Sequence, residues 1–429
     1  MRQKIDGGKT LLVDGPACIT LYSGAMRAFG APIGAREQIV VRMGKRIPLE
    51  AIEDSEVEIL LGNRASYEII DEDPIPPSWK EIAYKLLSFN GEVEAIILGG
   101  IDSGKSSLST YLANMALTNG RKVALIDGDL GQSDIGPPGT LGLSIIKRPI
   151  TDPFNLQPDH TIFIGITSPY SVIDRVISGL RELRDNAVNA SLDFIIINTD
   201  GWIEGANAVN YKCQLIGSLR PNFIIVIHDD NSTGSLTNLI NSLRGMEVDT
   251  LLAETPKGIK RRDREMRKII RETLYKRYLK DAKIRSIPLN WIKIDGTLEI
   301  RGKLDQALKK RLSEILSGDK VAYCENLQNH VILVLKKGAT LSDEERSKIS
   351  AELNKPVRII YEGDEKGLLA SLEDGDGRFL GIGTIHCVDY ERGALKIYTN
   401  VDGEFLRVRV GQIRLDEKGN EVEVVAINP

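Results

Sequence analysis

The stretch "EAIILGGIDSGKSSLSTYLANM", residues 94–115, decides the fold because a glycine-rich turn joins an apolar run to an amphipathic segment. The run at 95–98 is typical of a buried parallel strand, and the apolar residues after the turn recur at helical spacing up to Asn119-Gly120. The turn from Gly99 to Ser106 fits G-x-x-x-x-G-K-[ST] without a mismatch. A strand, a glycine-rich loop and a helix in this order turn backbone N–H groups toward an anion at the helix N-terminus.

The residues of this loop predict a nucleotide site. We expect Lys105 to reach the β- and γ-phosphates and the Ser106 hydroxyl to ligate Mg²⁺. The other positions expected to contact the nucleotide are Gly99, Gly100, Ile101, Asp102, Ser103, Gly104 and Ser107. The predicted cofactors are therefore ATP and Mg²⁺ or another divalent cation.

A second informative stretch, "VALIDGDLGQSDIGPPGT" (123–140), places two carboxylates at the end of an apolar strand. Asp127 ends the strand and Asp129 follows two residues later. Because ligand sites in open α/β sheets form at the carboxyl ends of strands, both aspartates are expected to face the mouth of the P-loop. One should hold Mg²⁺ directly or through water, and the other suggests a base for an acceptor hydroxyl.

From about residue 80, helical stretches alternate with short apolar runs. This alternation predicts an α/β fold with a central P-loop NTPase-type parallel sheet that carries helices on both faces. The runs interpreted as strands are AIIL (95–98), VALID (123–127), TIFIGI (161–166), FIIIN (194–198), FIIVIH (223–228) and DTLLAE (249–254).

The length of 429 residues predicts about three domains at roughly 150 residues each. Short extended segments punctuated by glycine and proline indicate a small N-terminal β domain at 1–77, and "DEDPIPP" (71–77) is typical of a linker. The P-loop domain is expected at 78–285. Mixed short strands, the helix "SDEERSKISAELN" (342–354) and a strand-rich tail predict a C-terminal α/β domain at 286–429.

The composition is that of an ordinary globular protein, with 42% hydrophobic and 27% charged residues. A net charge of −4 means that any nucleic-acid contact depends on a local basic patch. The four cysteines lie far apart without a C-x-x-C pair, which argues against a disulfide framework or zinc site and indicates a reducing cytoplasm. The start lacks a signal-peptide h-region, and no apolar run approaches membrane-spanning length. We therefore expect a cytoplasmic protein without a membrane partner.

The P-loop, the D-x-D-x-G-Q motif at 127–132 and the P-G-T turn after it resemble the polynucleotide 5′-hydroxyl kinase family. That family includes the RNA kinase of eukaryotic pre-mRNA cleavage and tRNA splicing, its nucleolar relative in pre-rRNA processing, and archaeal homologues. "GITSP" (165–169) is similar to the family's short loop after the next strand, and "NTDGW" (198–202) to its T-x-G-W clasp. The resemblance covers essentially the whole chain. It implies ATP-dependent phosphorylation of the 5′-hydroxyl end of RNA or DNA.

The resemblance also implies a role for each matching residue. Lys105 and Ser106 would serve phosphate and Mg²⁺, and Asp129 matches the acid that activates the attacking 5′-hydroxyl. Asp127, the first acid of the motif, and Gln132 would belong to the surroundings of the metal. Thr167 and Ser168 would clamp the phosphate of the acceptor strand, and Trp202 would stack on a base near its 5′ end. Thr199 of the clasp is expected to bind the substrate as well, while Asp200 receives no role.

The sequence around Trp202 agrees with a stacking role. This tryptophan follows "FIIINTDG" at the carboxyl end of a strand, where an exposed indole offers a platform that accepts any base. The alternative is an indole that covers the core beneath the next helix.

The segment 257–280, "KGIKRRDREMRKIIRETLYKRYLK", carries eleven Lys or Arg residues against three Asp or Glu residues. Phosphoryl transfer accumulates negative charge, and arginines on a mobile segment can neutralise it. Arg262 and Arg267 fit the lid spacing of the family best. Arg264, Arg267 and Arg271 share a helical face, which leaves the register open by a residue or two. The alternative is a solvated surface helix.

Three other functions remain open at this stage. A partitioning ATPase or nucleotide switch of the deviant P-loop type would carry a lysine where this chain has Gly100. A small-molecule kinase rarely needs two flanking domains or so basic a lid. An ATP-bound scaffold for RNA-processing proteins is known in the family, and such proteins are expected partners here in any case. The sequence does not choose between RNA and DNA, or between single strands, duplex ends and tRNA halves.

Overall fold

The computed structural model of the chain describes residues 1–228, 234–245, 248–316, 318–353 and 355–424. The chain divides into two compact units, Met1–Arg271 and Glu272–Pro429. No helix in the described ranges combines the length and the apolar composition that a bilayer crossing requires.

The N-terminal part of the first unit consists of two antiparallel sheets, as the turn-rich sequence predicted. The four-stranded sheet has the order β1-β8-β3-β6 and the five-stranded sheet the order β5-β4-β7-β2-β9. The strands are β1 (Arg2–Ile5), β2 (Thr10–Asp14), β3 (Ala17–Ser23), β4 (Met26–Ala28), β5 (Ala31–Ile33), β6 (Gln38–Val41), β7 (Arg46–Ala51), β8 (Ser55–Leu61) and β9 (Ser66–Ile70).

The rest of the first unit is a seven-stranded sheet of order β13-β12-β11-β14-β10-β15-β16 with helices on both faces. Its strands are β10 (Val93–Gly99), β11 (Val123–Gly128), β12 (Thr140–Ile146), β13 (His160–Phe163), β14 (Phe194–Thr199), β15 (Phe223–His228) and β16 (Asp249–Glu254). Its helices are α1 (Pro77–Leu87), α2 (Lys105–Thr118), α3 (Ile173–Asn189), α4 (Ala206–Leu219) and α5 (Gly234–Leu243). Helix α6 (Arg264–Tyr278) spans the boundary between the two units.

This sheet confirms the predicted fold class and adds one strand. β11, β14, β10, β15 and β16 pair in parallel, whereas β12 runs antiparallel to both β11 and β13. β12 was not predicted from the sequence, and its antiparallel direction makes the sheet mixed at one edge. The strand predicted at 161–166 occupies His160–Phe163, and residues 164–166 continue into the loop that follows.

One hydrophobic core joins the N-terminal sheets to the central sheet. It contains Leu11 and Leu49 from the β domain together with Ile97 and Leu112 from the P-loop domain, and Trp79 of α1 lies buried between them. Ile75, inside the predicted linker, is buried in the same core, and Pro77 already belongs to α1. A second core on the opposite face of the central sheet packs α3, α4 and α5. The division at residue 77 therefore stays a prediction.

The second unit combines a large sheet with a smaller α/β layer. Its main sheet has the order β17-β24-β23-β22-β25-β18 with β26 on β25, and β19, β20 and β21 form a three-stranded sheet beside α7 and α8. The strands are β17 (Lys283–Pro288), β18 (Lys293–Gly296), β19 (Val321–Asn326), β20 (Val331–Leu335), β21 (Val357–Tyr361), β22 (Leu368–Glu373), β23 (Phe379–Asp389), β24 (Ala394–Thr399), β25 (Arg407–Leu415) and β26 (Glu421–Val424). The helices are α7 (Gln306–Ile315) and α8 (Asp343–Leu353).

Helix α8 confirms the helix predicted at 342–354, of which Asn354 lies outside the described residues. Helix α7 was not predicted. The Asp305 side chain caps it by accepting a hydrogen bond from the Leu308 N–H, and Leu308 and Leu312 are buried one turn apart. A capping aspartate before an apolar i, i+4 pair is the local signal that marks this helix.

Candidate active site

The P-loop lies where the sequence placed it, between β10 and α2. Gly104 adopts φ 103°, a conformation that only glycine enters readily, and a Cβ there would also stand 3.1 Å from Pro256. Helix α2 begins at Lys105, and no side chain caps its N-terminus. Its first N–H groups therefore have no capping acceptor and are free to bind a phosphate held in the loop. In the same loop, the Ser103 hydroxyl is buried without a hydrogen-bond partner among the described residues.

Lys105 is buried at the base of this loop. Its Nζ donates to the carbonyl oxygens of Gly99 at 3.0 Å and Gly100 at 2.6 Å. The pKa of Lys105 is lowered to about 8, mainly by burial; the Asp129 carboxylate opposes this shift and the nearby Lys212 ammonium contributes to it. A phosphate anion placed here would favour the charged ammonium.

Asp127 is an acceptor for the loop that follows β11. Its Oδ2 accepts from the Asp134 N–H at 2.6 Å and the Ile135 N–H at 3.2 Å, and its Oδ1 accepts from Asn198 Nδ2 at 3.1 Å. Burial and the neighbouring Asp134 carboxylate raise the pKa of Asp127. Asp127 and Ser106 line the same small cavity, whereas Gln132, the third predicted metal residue, lines the large cavity described below.

Asp129 has a different environment. Its Oδ1 accepts from the N–H groups of Gly131 and Gln132, both at 3.0 Å, whereas no described residue donates to its Oδ2. Asp129 lines the large cavity that also contains the P-loop, but Asp127 does not. Burial raises the pKa of Asp129, and the Lys105 ammonium partly offsets this effect. A carboxylate held by one oxygen, with the other directed to the cavity, is suited to accept a proton.

The large cavity has a volume of about 950 Å³ and brings together most of the predicted site. Predicted residues on its wall are Gly100, Ile101, Asp102, Ser103, Gly104, Lys105, Ser106, Ser107, Asp129, Gln132, Thr167, Ser168, Trp202, Arg262 and Arg267. The predicted acceptor residues Thr167 and Ser168 therefore share one cavity with the P-loop. Gly99 ends β10 beneath the loop, outside the cavity wall.

Thr199 is the predicted residue whose placement differs most from its expected role. Its side chain is fully buried, and its hydroxyl donates to the carbonyl oxygen of Ile97 on the adjacent strand at 2.8 Å. The hydroxyl therefore attaches the clasp to the sheet and is directed away from the cavity.

The predicted lid arginines contact the P-loop directly. Arg262 Nε and Arg267 Nη2 donate to the carboxylate of Asp102 at 2.8 Å and 3.1 Å. Gln132 contacts the same arginines, since its Oε1 accepts from Arg262 Nη1 at 3.5 Å and its Nε2 donates to the Arg267 carbonyl at 3.4 Å. Gln132 thus contacts the lid, and its role near a metal remains a prediction. Arg264 begins α6, and Arg271 also lines the cavity.

No cluster of three or more His, Cys, Asp or Glu side chains suited to a metal occurs in the described part of the chain. A cation here would need oxygen ligands from Ser106, from water and from the phosphates of a nucleotide. This is the usual environment of Mg²⁺ in phosphoryl-transfer proteins, because Mg²⁺ keeps several waters and few protein ligands.

Comparison with known proteins identifies the family. The family described as mRNA cleavage and polyadenylation factor CLP1 P-loop matches residues 99–281. The polyribonucleotide 5′-hydroxyl-kinase of Methanocaldococcus jannaschii is 30% identical over 335 residues, which covers 77% of this chain and 89% of that protein. The chain belongs to the polyribonucleotide 5′-hydroxyl-kinase family. The family resemblance inferred from the motifs is thereby confirmed.

Other relatives extend the comparison. The polyribonucleotide 5′-hydroxyl-kinase of Thermococcus kodakarensis is 29% identical over 81% of this chain and 95% of that protein. The solved wild-type Clp1p–Pcf11p complex matches with a TM-score of 0.68 at 14% identity, covering 96% of this chain and 97% of that chain. This structural likeness supports the fold alone. Membership of a P-loop kinase family supports ATP binding.

A buried polar cluster beneath the clasp was not predicted from the sequence. Lys212 of α4 is completely buried, and its Nζ donates to Asp200 Oδ2 at 2.9 Å. Tyr211 donates to the same oxygen at 2.9 Å, and the Trp202 N–H donates to Asp200 Oδ1 at 2.9 Å. Asp200, to which the sequence gave no role, therefore fixes the backbone of the clasp. A lysine on an apolar helix face was the available signal, since such a lysine needs a buried partner.

The N-terminal β domain also contributes groups that the sequence did not indicate. Arg42 donates to Asp152 at 2.7 Å and to Asp134 at 2.7 Å, and Lys45 donates to Asp134 at 2.9 Å. The pairs with Asp134 connect the β domain to the loop whose N–H groups donate to Asp127. Lys45 and Arg42 lower the pKa of Asp134 despite its burial. Apolar residues that line the cavity from this side of the P-loop are Leu12, Pro48, Ile75 and Trp79.

Proposed function

We propose that this chain transfers the γ-phosphate of ATP to the 5′-hydroxyl end of a polynucleotide. The observation that carries the proposal is the shared wall of one cavity. A phosphate-binding loop with Lys105, a carboxylate oxygen of Asp129 without a protein donor, and the exposed side of the clasp at Trp202 all line it. The names of the archaeal relatives support the same reaction and polyribonucleotides as the acceptor class.

In the proposed reaction Asp129 takes the proton of the acceptor 5′-hydroxyl as its oxygen forms a bond to the γ-phosphorus. The bond between that phosphorus and the β–γ bridging oxygen breaks, and ADP leaves with the electron pair. The burial that raises the pKa of Asp129 makes its carboxylate a stronger base than an exposed one. Arg262 and Arg267 would stabilise the charge that develops on the transferred group.

Mg²⁺ fits the pair formed by Ser106 and Asp127, which share a small cavity. The Ser106 hydroxyl would bind the ion, and Asp127, whose oxygens already accept N–H donors, would act through a bound water. When bound, the cation would neutralise charge on the β- and γ-phosphates. Replacing Ser106 by cysteine should weaken Mg²⁺ binding to the nucleotide complex and favour Mn²⁺, which a metal titration of the complex would measure.

The nucleotide base fits the apolar part of the cavity between the P-loop and the β domain. Leu12, Ile75 and Trp79 line this part, and such a surface suits an adenine ring. The four cysteines are free thiols, which is consistent with a cytoplasmic setting. RNA-processing protein partners stay a prediction.

A turnover assay with γ-labelled ATP tests the function. Label should move to a 5′-hydroxyl oligoribonucleotide and not to the same oligonucleotide carrying a 5′-phosphate, which has no free acceptor. A nucleotide switch would release labelled phosphate to water without labelling the oligonucleotide. A non-catalytic scaffold would bind ATP and give neither product, and a small-molecule kinase would label a free nucleoside but not the oligonucleotide. Any of these three outcomes would contradict the proposed reaction.

A further inference from the structure

Tyr170 is a large aromatic side chain on the surface beside the proposed acceptor site. It is 65% exposed, and its hydroxyl has no hydrogen-bond partner among the described residues. Its ring lies against the indole of Trp202, with a centroid distance of 5.6 Å and an interplanar angle of 66°. Neither burial nor a hydrogen bond of the hydroxyl therefore accounts for a tyrosine at this position.

Tyr170 comes directly after three residues that line the cavity. Thr167, Ser168 and Pro169 line the cavity, and Tyr170 is the next residue but lies outside the wall. The buried Tyr211 ring also contacts Trp202, with a centroid distance of 5.7 Å and an interplanar angle of 23°. Trp202 is thus in contact with one buried ring and one exposed ring. For an acceptor strand with its first base on Trp202, the exposed Tyr170 ring is an adjacent aromatic surface.

We propose that Tyr170 forms a second stacking subsite, which binds the nucleobase of the second nucleotide of the acceptor strand. The inference rests on the proposed function. It assigns a binding position to the second nucleotide, which the proposed function leaves open. Successive bases of a single strand stack on successive aromatic side chains, and such stacking accepts every base because each has a π-face. The subsite would therefore favour strands of two or more nucleotides over a single nucleotide, without selecting a sequence.

A double-mutant cycle between the tyrosine and the base tests this subsite. The substrates are a short 5′-hydroxyl oligoribonucleotide and the same strand with an abasic residue at the second nucleotide. For the wild-type protein, loss of that base should raise KM by roughly 5- to 100-fold. Tyr170→Ala should raise KM for the intact strand by a similar factor and show little further change with the abasic strand. Tyr170→Phe should behave like the wild-type protein, because stacking uses the ring and not the hydroxyl.

Tyr84→Ala is the matched control, since Tyr84 is a 76% exposed tyrosine on α1. It should leave KM for both strands unchanged. An equal rise of KM for the intact and abasic strands in Tyr170→Ala would show that Tyr170 only supports Trp202, and this would overturn the subsite. Equal KM values of the wild-type protein for the two strands would overturn it as well, without any variant. If the wild-type protein phosphorylates neither strand, the proposed function itself is wrong and the subsite falls with it.

Discussion

Asp102 in the P-loop accepts hydrogen bonds from Arg262 of the lid segment, at 2.8 Å from Arg262 Nε to Oδ1 and 2.8 Å from the Arg262 backbone N–H to Oδ2. Burial disfavours the charge of Asp102, but the Arg262 guanidinium more than compensates and lowers the pKa of this carboxyl. Because the contact includes the backbone N–H, Asp102 holds the lid segment as well as its guanidinium group. The P-loop thereby places the lid arginine beside the site expected for the γ-phosphate.

We therefore expect Asp102→Asn to lower kcat for oligonucleotide phosphorylation by about tenfold, a loss of roughly 1.4 kcal/mol of transition-state stabilisation. Asparagine tolerates the positive φ of 55° at this position but cannot hold two guanidinium groups by charge. Asp263→Asn is the control, since Asp263 lies on the same segment and accepts from the Met266 N–H without contacting the P-loop. A rise of kcat in Asp102→Asn would mean that Asp102 restrains the arginine instead of presenting it.

Lys105→Ala should remove kinase activity and leave the protein folded, because the ammonium acts on phosphate charge and its contacts within the protein are two carbonyl oxygens. Activity is measured by label transfer and folding by a thermal melt. Lys122→Ala, a change at an exposed lysine before β11, serves as the control. Retention of most of the turnover by a folded Lys105→Ala protein would refute the assigned phosphate site.

The two aspartates of the D-x-D motif should respond differently to the same substitution. Asp129→Asn should abolish transfer yet keep the ATP affinity within about tenfold, since loss of a base affects the transition state more than ground-state binding. Asp127→Asn should lower the free energy of unfolding by about 2 kcal/mol or more, because its carboxylate accepts buried N–H donors. Chemical denaturation and equilibrium ATP binding distinguish the two. If ATP binding collapses in Asp129→Asn while turnover persists, Asp129 is a metal ligand and the base lies elsewhere.

Trp202 and the lid arginines should affect different kinetic constants. Trp202→Ala should reduce kcat/KM for the oligonucleotide through lost stacking, by a factor that corresponds to roughly 1–3 kcal/mol of stacking free energy. The ATP affinity should stay unchanged. Arg262→Ala and Arg267→Ala should instead lower kcat by about 10²-fold or more. Both constants are measured with one short 5′-hydroxyl oligoribonucleotide. A large fall in melting temperature with unchanged acceptor KM in Trp202→Ala would assign the indole to the core.

The buried pair under the clasp gives a prediction for stability. Lys212→Met leaves the Asp200 carboxylate buried without its cation, and breaking such a pair costs about 3–5 kcal/mol. We expect a decrease of that size in the free energy of unfolding. Lys212→Met combined with Asp200→Asn should recover part of the loss, since the uncompensated charge is then removed. Additive losses in a double-mutant cycle would show that the two side chains do not stabilise each other.

The local sequence was sufficient for the parts of the molecule that depend on short-range spacing. The P-loop was predictable because its glycines, Lys105 and Ser106 occupy fixed positions between an apolar run and a helix. The parallel strands were predictable from their continuous apolar composition, whereas β12 was missed because the glycine-rich residues before it read only as a turn. The burial of Ile75 inside the predicted linker depends on packing against another part of the chain, which composition does not show.

Only the tertiary structure decided which of the similar residues face the cavity. Asp127 and Asp129 look equivalent in the sequence, but the strand ends at Gly128 and leaves one carboxylate inside and the other on the cavity wall. Thr199 and Trp202 belong to one motif, yet the Thr199 hydroxyl is bonded to the Ile97 carbonyl of the adjacent strand while Trp202 lines the cavity. The ion pair of Asp102 with Arg262 joins residues 160 positions apart. Such pairings form only when the chain folds, because a buried charge needs an opposite charge close to it in space. Spacing along the sequence does not show which residues become neighbours.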